Sequence, residues 1–74
     1  MKVPPQNIEA EQSVLGGIML DPNAMDRVID VINENDFYKT AHRKIYNAAL
    51  ALRQKSQPID LITMTSFLRD NGEL

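Results

Sequence analysis

The stretch DFYKTAHRKIY, Asp36 to Tyr46, sets the chain's one histidine, His42, among Lys39, Arg43 and Lys44 and the rings of Phe37, Tyr38 and Tyr46. Histidine is the side chain best suited to moving protons near neutral pH. Its chemistry needs partners, and the sequence has no Cys, no HExxH pattern, and no Ser and Asp at recognisable triad spacing. No self-contained catalytic site follows from it. Rings interleaved with basic residues also describe a surface on which nucleic-acid bases stack, but such a surface works inside a positive field. Here 8 Lys and Arg face 10 Asp and Glu, a formal charge of −2 and a pI near 5.1. A phosphate-tracking surface is therefore disfavoured, and any contact with DNA would be local or indirect.

Three other groupings invite chemistry. Asp26 and Asp30 are spaced to share one helix face, as a metal or acid/base pair would be; without a third ligand or an apolar pocket they read as a solvated face, with Arg27 as countercharge. Gly16 and Gly17 lack the Lys and Ser or Thr of a phosphate loop and sit inside a helical pattern. The expectation there is close backbone packing or a local bend that offsets their poor helix propensity. Glu11 falls between Leu15 and Ile18 on an apolar arc, so a carboxylate is expected to be partly buried and to need donors such as a backbone N–H, a Tyr hydroxyl, an Arg or His42.

The elements that must carry these residues are all helical. Asn7 caps a first helix over Ile8 to Leu20, with Glu9 and Glu11 near its positive end. Its apolar arc is Ile8, Ala10, Val14, Leu15, Ile18 and Met19. DPN then supplies Asp21 as a cap and Pro22 as the first residue of a second helix, Pro22 to Ile32, burying Ala24, Met25, Val28, Val31 and Ile32. NEND breaks that helix, and a short turn at Asp36 to Tyr38 uses Phe37 and Tyr38 to plug the corner between helices. Thr40 caps a third helix, Ala41 to Lys55. Its core stripe is Ala41, Ile45, Ala48, Ala49 and Leu52, with His42, Tyr46 and Leu50 on the flank. Ile45 and Phe37 read as scaffold. Tyr46 and Leu50 are the candidate interface residues, divided between core and partner surface. Asp60, with Thr63 in competition, caps a fourth helix, Leu61 to Asn71, burying Leu61, Met64, Phe67 and Leu68 before a left-handed stop at Gly72. No stretch alternates with period two, so no strand is expected.

With 74 residues, 43% of them apolar, the chain makes at most one small domain, a compact bundle of about four helices behind an extended Pro-rich lead-in over residues 1 to 6. The amino end has no apolar core of a signal peptide, and VLGGIML and AALAL fall far short of the roughly 20 residues that span a bilayer. The expectation is a soluble cytoplasmic protein, away from the membrane.

Three segments, PPQNIEAEQSVLGGIML, DFYKTAHRKIY and PIDLITMTSFLRDNGEL, come in an order and spacing that resemble the amino-terminal domain of bacterial replicative DNA helicases of the DnaB type. The resemblance covers essentially the whole chain. It implies an all-α domain in the collar of a ring-shaped homohexamer, one that supports assembly and engages primase while a helicase loader or initiator acts on the same assembly. It also implies that ATP and magnesium, and the unwinding of duplex DNA that they drive, belong to a separate RecA-like domain with a phosphate loop, absent from these residues. No catalytic, cofactor-binding or metal residue is carried over, and DNA is a partner only through the parent protein. The family's domain continues past GEL into a helical hairpin, so residues 7 to 74 are expected to be incomplete at their carboxy end. Two alternatives stand beside this reading: the helicase-binding domain of a primase, similar in fold, and a small helical DNA-binding module.

Overall fold

The computed structural model of the protein describes residues 7–21 and 23–73. The expected lead-in over residues 1–6, and Pro22 as a first helical residue, lie outside them. The described residues form four α-helices, α1 (Ile8–Leu20), α2 (Ala24–Val28), α3 (Thr40–Gln54) and α4 (Leu61–Asp70), with a 3-10 turn at Glu34–Asp36 and no strand among them. α3 is the central element: α1, α2, the 3-10 turn and α4 all pack on it.

α1 keeps the expected bounds, and the Asn7 side chain accepts from the Ala10 N–H at 3.0 Å. That bond satisfies one of the donors every helix start leaves open. Leu15 and Ile18 enter the core.

α2 is shorter than the Pro22 to Ile32 helix expected. Asp21 closes α1, and its carboxylate accepts from the Asn23 N–H at 2.9 Å, shaping a turn before α2. After Val28 the backbone tightens, with both the Val31 and Ile32 N–H groups donating to the Val28 carbonyl. This rotates Val31 to the surface, against expectation, while Ile32 still drops into the core. β-branched residues crowd a regular helix, and four of them stand between Val28 and Ile32.

NEND does more than interrupt. Asn33 accepts from the Asn35 N–H, and the Asp36 carboxylate accepts from the Asn33 N–H, both at 2.9 Å, a reciprocal box that winds the 3-10 turn. Phe37 then inserts completely, with no exposed surface, whereas Tyr38 stays about half exposed and does not fill the corner.

α3 starts at Thr40, with Lys39 in the cap position and no side-chain cap, so Thr40 does not play the part expected of it. Its core face is also rotated. His42 and Tyr46 are buried, Ala41 is exposed and Ile45 is half-buried, so the flank and the core stripe exchange places over the first two turns. Farther along, Ala48, Ala49 and Leu52 are buried as the periodicity indicates.

α3 ends in a Schellman arrangement. Ser56 takes φ +57°, the Ser56 N–H donates to Arg53 O and the Gln57 N–H to Leu52 O. α4 begins with a capping box in which Asp60 and Thr63 act together rather than in competition: Thr63 N–H donates to Asp60 Oδ1 at 2.9 Å, and Asp60 N–H to Thr63 Oγ1 at 3.0 Å. Met64 and Leu68 face α3. Leu61, expected inside, is 72% exposed, because it lies in the first turn, ahead of that pair. A second Schellman arrangement ends α4 at Gly72, φ +69°, as the left-handed stop required.

Candidate functional site

The stretch that invites chemistry is organised by a residue remote from it in sequence. Glu11 sits on the inner face of α1, one turn before Leu15, and is fully enclosed. Its Oε2 accepts from the Tyr38 N–H at 2.8 Å; its Oε1 accepts from His42 Nδ1–H at 2.7 Å and from the Lys39 N–H at 3.3 Å. One carboxylate thus takes two backbone donors at the start of α3 and a side-chain donor from its first turn. The helix dipole favours a negative charge there, and the Lys39 N–H is one of the donors that the start of α3 leaves open. Burial by itself pushes the Glu11 carboxyl up; the hydrogen bonds from His42, Tyr38 and Lys39, and the charge of His42, outweigh it and hold the carboxyl below the ordinary glutamate range.

A second set of contacts fixes the chain on the other side of this node. The Phe37 carbonyl accepts from Arg43 Nε–H at 2.6 Å. The Phe37 ring packs on Tyr46 with centroids 5.3 Å apart and planes tilted by 40°. The Tyr46 hydroxyl donates to the Ile32 carbonyl. Burial, then the nearby Asp36 carboxylate, pushes the Tyr46 hydroxyl above the usual phenol range. Tyr46 is 1% exposed, so one of the two candidate interface residues lies in the domain's own core. The phenol is drawn inward because the break after α2 leaves the Ile32 carbonyl without a helical donor, and Tyr46 supplies one.

Chemically this node is a clamp. Both carboxylate oxygens of Glu11 are engaged, and among the described residues no buried side-chain nitrogen or oxygen lacks a partner. Nor do three or more His, Asp or Glu side chains gather there in a way that could hold a metal ion. Asp26, read as half of a solvated pair with Asp30, reaches across to Arg53 Nε at 2.6 Å and ties α2 to α3, while Arg27 pairs with Asp21 at 2.6 Å. Of the two roles expected of Gly16 and Gly17, close packing or a local bend, the first is not seen within the chain: a Cβ at either would meet open space.

What remains for contact is the exterior. Leu50 is half-buried at the edge of the core. Thr40, Ala41, Lys44, Ile45, Leu68 and Glu73 line a groove of about 410 Å³ between α3 and α4. Leu61 and Ile62 project side by side from the start of α4, at 72% and 77% exposure, and Leu20 projects from the end of α1 at 87%. Sequence periodicity missed the outer pair because the apolar pattern of α4 does not reveal where α3 stops supporting it.

The described residues thus make a small all-α bundle with its buried polar side chains paired and several large apolar side chains turned outward. The chain belongs to the DnaB-like helicase N-terminal domain family, whose model matches residues 3–74. Among its relatives, the replicative DNA helicase DnaB of Synechocystis is 55% identical over 69 residues, 93% of this chain and 8% of that protein. The replicative DNA helicase DnaC of Bacillus subtilis is 52% identical over 73 residues, 99% of this chain and 16% of that protein. The chain therefore spans less than a fifth of the length of these relatives. The crystal structure of the N-terminal domain of DnaB helicase from Mycobacterium tuberculosis superposes with a TM-score of 0.90 at 41% identity, covering 96% of this chain and 49% of that one. The all-α expectation and the helicase-domain resemblance hold. Among the described residues no helix is long and apolar enough to cross a membrane.

Proposed function

We propose that the chain serves as an assembly and partner-docking domain of a hexameric replicative DNA helicase of the bacterial cytoplasm. In this reading it holds neighbouring subunits in ring register and presents a face to primase, while a helicase loader or initiator acts on the same assembly. The parent protein would unwind duplex DNA with ATP and magnesium, bound by parts of it outside these residues. The observation that carries the reading is the exposed pair Leu61 and Ile62 on a domain whose interior is already closed. Large apolar side chains left adjacent in water favour burial against another protein surface.

Leu50, half-buried beside the core, is the other position at which contact is proposed. The test uses Leu50→Glu and, because a half-buried leucine also supports folding, the exposed Ile62→Asp, each in the complete helicase. Assembly is followed by sedimentation and primase capture by titration. A shift toward smaller assemblies or weaker capture supports the reading. If both variants assemble and bind primase like the parent, docking through these faces is wrong.

A further inference from the structure

The end of α4 carries a reactive dipeptide in a restrained state. Asn71 precedes Gly72, the chain's one Asn–Gly pair, and both residues are exposed. In such a pair the carboxamide carbon lies within reach of the next backbone nitrogen, and glycine puts no side chain in the way.

Three hydrogen bonds oppose that approach here. Asn71 Nδ2–H donates to the Phe67 carbonyl at 2.8 Å, turning the carboxamide back along the helix. The Gly72 N–H, the would-be nucleophile, donates to Arg69 O at 3.0 Å, and the Glu73 N–H donates to Leu68 O at 2.8 Å. Gly72 holds φ +69° to make the last two possible.

We infer that Asn71–Gly72 is a site of spontaneous deamidation whose rate is set by opening of the last turn of α4. Once the turn opens, the Gly72 nitrogen loses its proton to water and attacks Cγ of Asn71. The new C–N bond closes a five-membered imide, and the carboxamide C–N bond breaks, releasing ammonia with the proton it takes up. Water then opens the imide at either carbonyl, leaving aspartate or isoaspartate. The net change is one water consumed and one ammonia released, with no oxidant or cofactor.

The product does not restore the turn. It lacks the Nδ2 donor to Phe67, sets a negative charge at the negative end of the helix, and as isoaspartate lengthens the backbone by a carbon where the left-handed turn must form. Leu68 and Glu73, which flank this turn, line the groove between α3 and α4, and Glu73 stands 4.0 Å from Lys44 across it. Deamidation therefore loosens that groove irreversibly.

The folded protein and a free peptide of residues 68–74 are incubated together at mildly alkaline pH. Peptide mapping follows the mass gain at Asn71, and enzymatic methylation detects isoaspartate. With two or more hydrogen bonds to break first, the folded protein reacts about tenfold or more slowly than the peptide, and the product forms at Asn71. Asn71→Gln, which keeps an amide donor but would have to close a six-membered ring, abolishes the signal. Equal rates in protein and peptide, a signal that persists in Asn71→Gln, or earlier modification of another asparagine would overturn the inference.

Discussion

Glu11 on α1 and His42 in the first turn of α3 meet at 2.7 Å with neither side chain in free contact with water. The same carboxylate satisfies the Tyr38 and Lys39 N–H groups, so removing it strands two backbone donors and a buried imidazole at once. Each buried donor left unsatisfied typically costs about 1 to 3 kcal/mol, and with three stranded together Glu11→Ala is expected to lose about 3 kcal/mol or more by urea unfolding. A loss below about 1 kcal/mol would mean that water replaces the carboxylate at little cost.

The same node gives stability a pH dependence on the acid side. The folded-state pKa of Glu11 lies below its unfolded value, so the unfolded chain binds the proton more readily. The stability contributed is fully present above the unfolded glutamate value of 4.5 and is lost as pH falls through the lower folded value. Unfolding free energy measured from neutrality downward should begin to fall near that unfolded value. Glu11→Gln, which cannot titrate, should flatten this acid limb, and an unchanged slope would assign it to other carboxylates.

Tyr46 separates a packing role from a docking role. Tyr46→Phe keeps the ring against Phe37 but leaves the Ile32 carbonyl without its donor. A loss of about 1 to 2 kcal/mol is expected in thermal or urea unfolding. Partner binding by the folded variant, within a complete helicase, should match the parent. Weakened binding without a loss of stability would put the hydroxyl at a surface after all.

Much of the fold could be read from local chemistry. Asn7, Asp60 and Gly72 act within a few residues of themselves, and helix ends of that kind are visible in sequence. The rotation of α3 was not visible in that way. Periodicity favours Ala41 over His42 because it weighs only hydrophobicity, whereas the native choice is made by Glu11, 31 residues away, which needs a donor more than the core needs a methyl group. Tyr46 followed for the same reason, drawn by an unpaired carbonyl at Ile32 that appears only once α2 stops early. Glu11 itself could be identified as a carboxylate needing donors, and its angle on α1 was the signal. Which donors would come to it depended on tertiary approach.

Ser56 holds φ +57°, a conformation that costs a residue with a side chain roughly 1 to 2 kcal/mol. Glycine removes that strain and adds backbone entropy to the unfolded chain, which offsets part of the gain. Ser56→Gly should therefore stabilise the protein by up to about 1 kcal/mol, seen as a raised unfolding midpoint with an unchanged denaturant slope. Destabilisation would show that the Ser56 side chain makes a compensating contact in solution.

Gly16 and Gly17 offer a test that reaches from packing to assembly. Both lie inside α1, where glycine is less favourable than alanine by about 1 kcal/mol, and a Cβ at either position meets open space. Within this chain, Gly16→Ala and Gly17→Ala should each stabilise by about 0.5 to 1 kcal/mol in urea unfolding. If the glycines instead let another chain approach closely, the same substitutions would stabilise the isolated domain while weakening assembly of the complete helicase. Sedimentation of the complete Gly17→Ala protein distinguishes the two. Normal assembly leaves the pair as two residues of weak helix propensity, whereas impaired assembly places a subunit or partner contact along that face of α1.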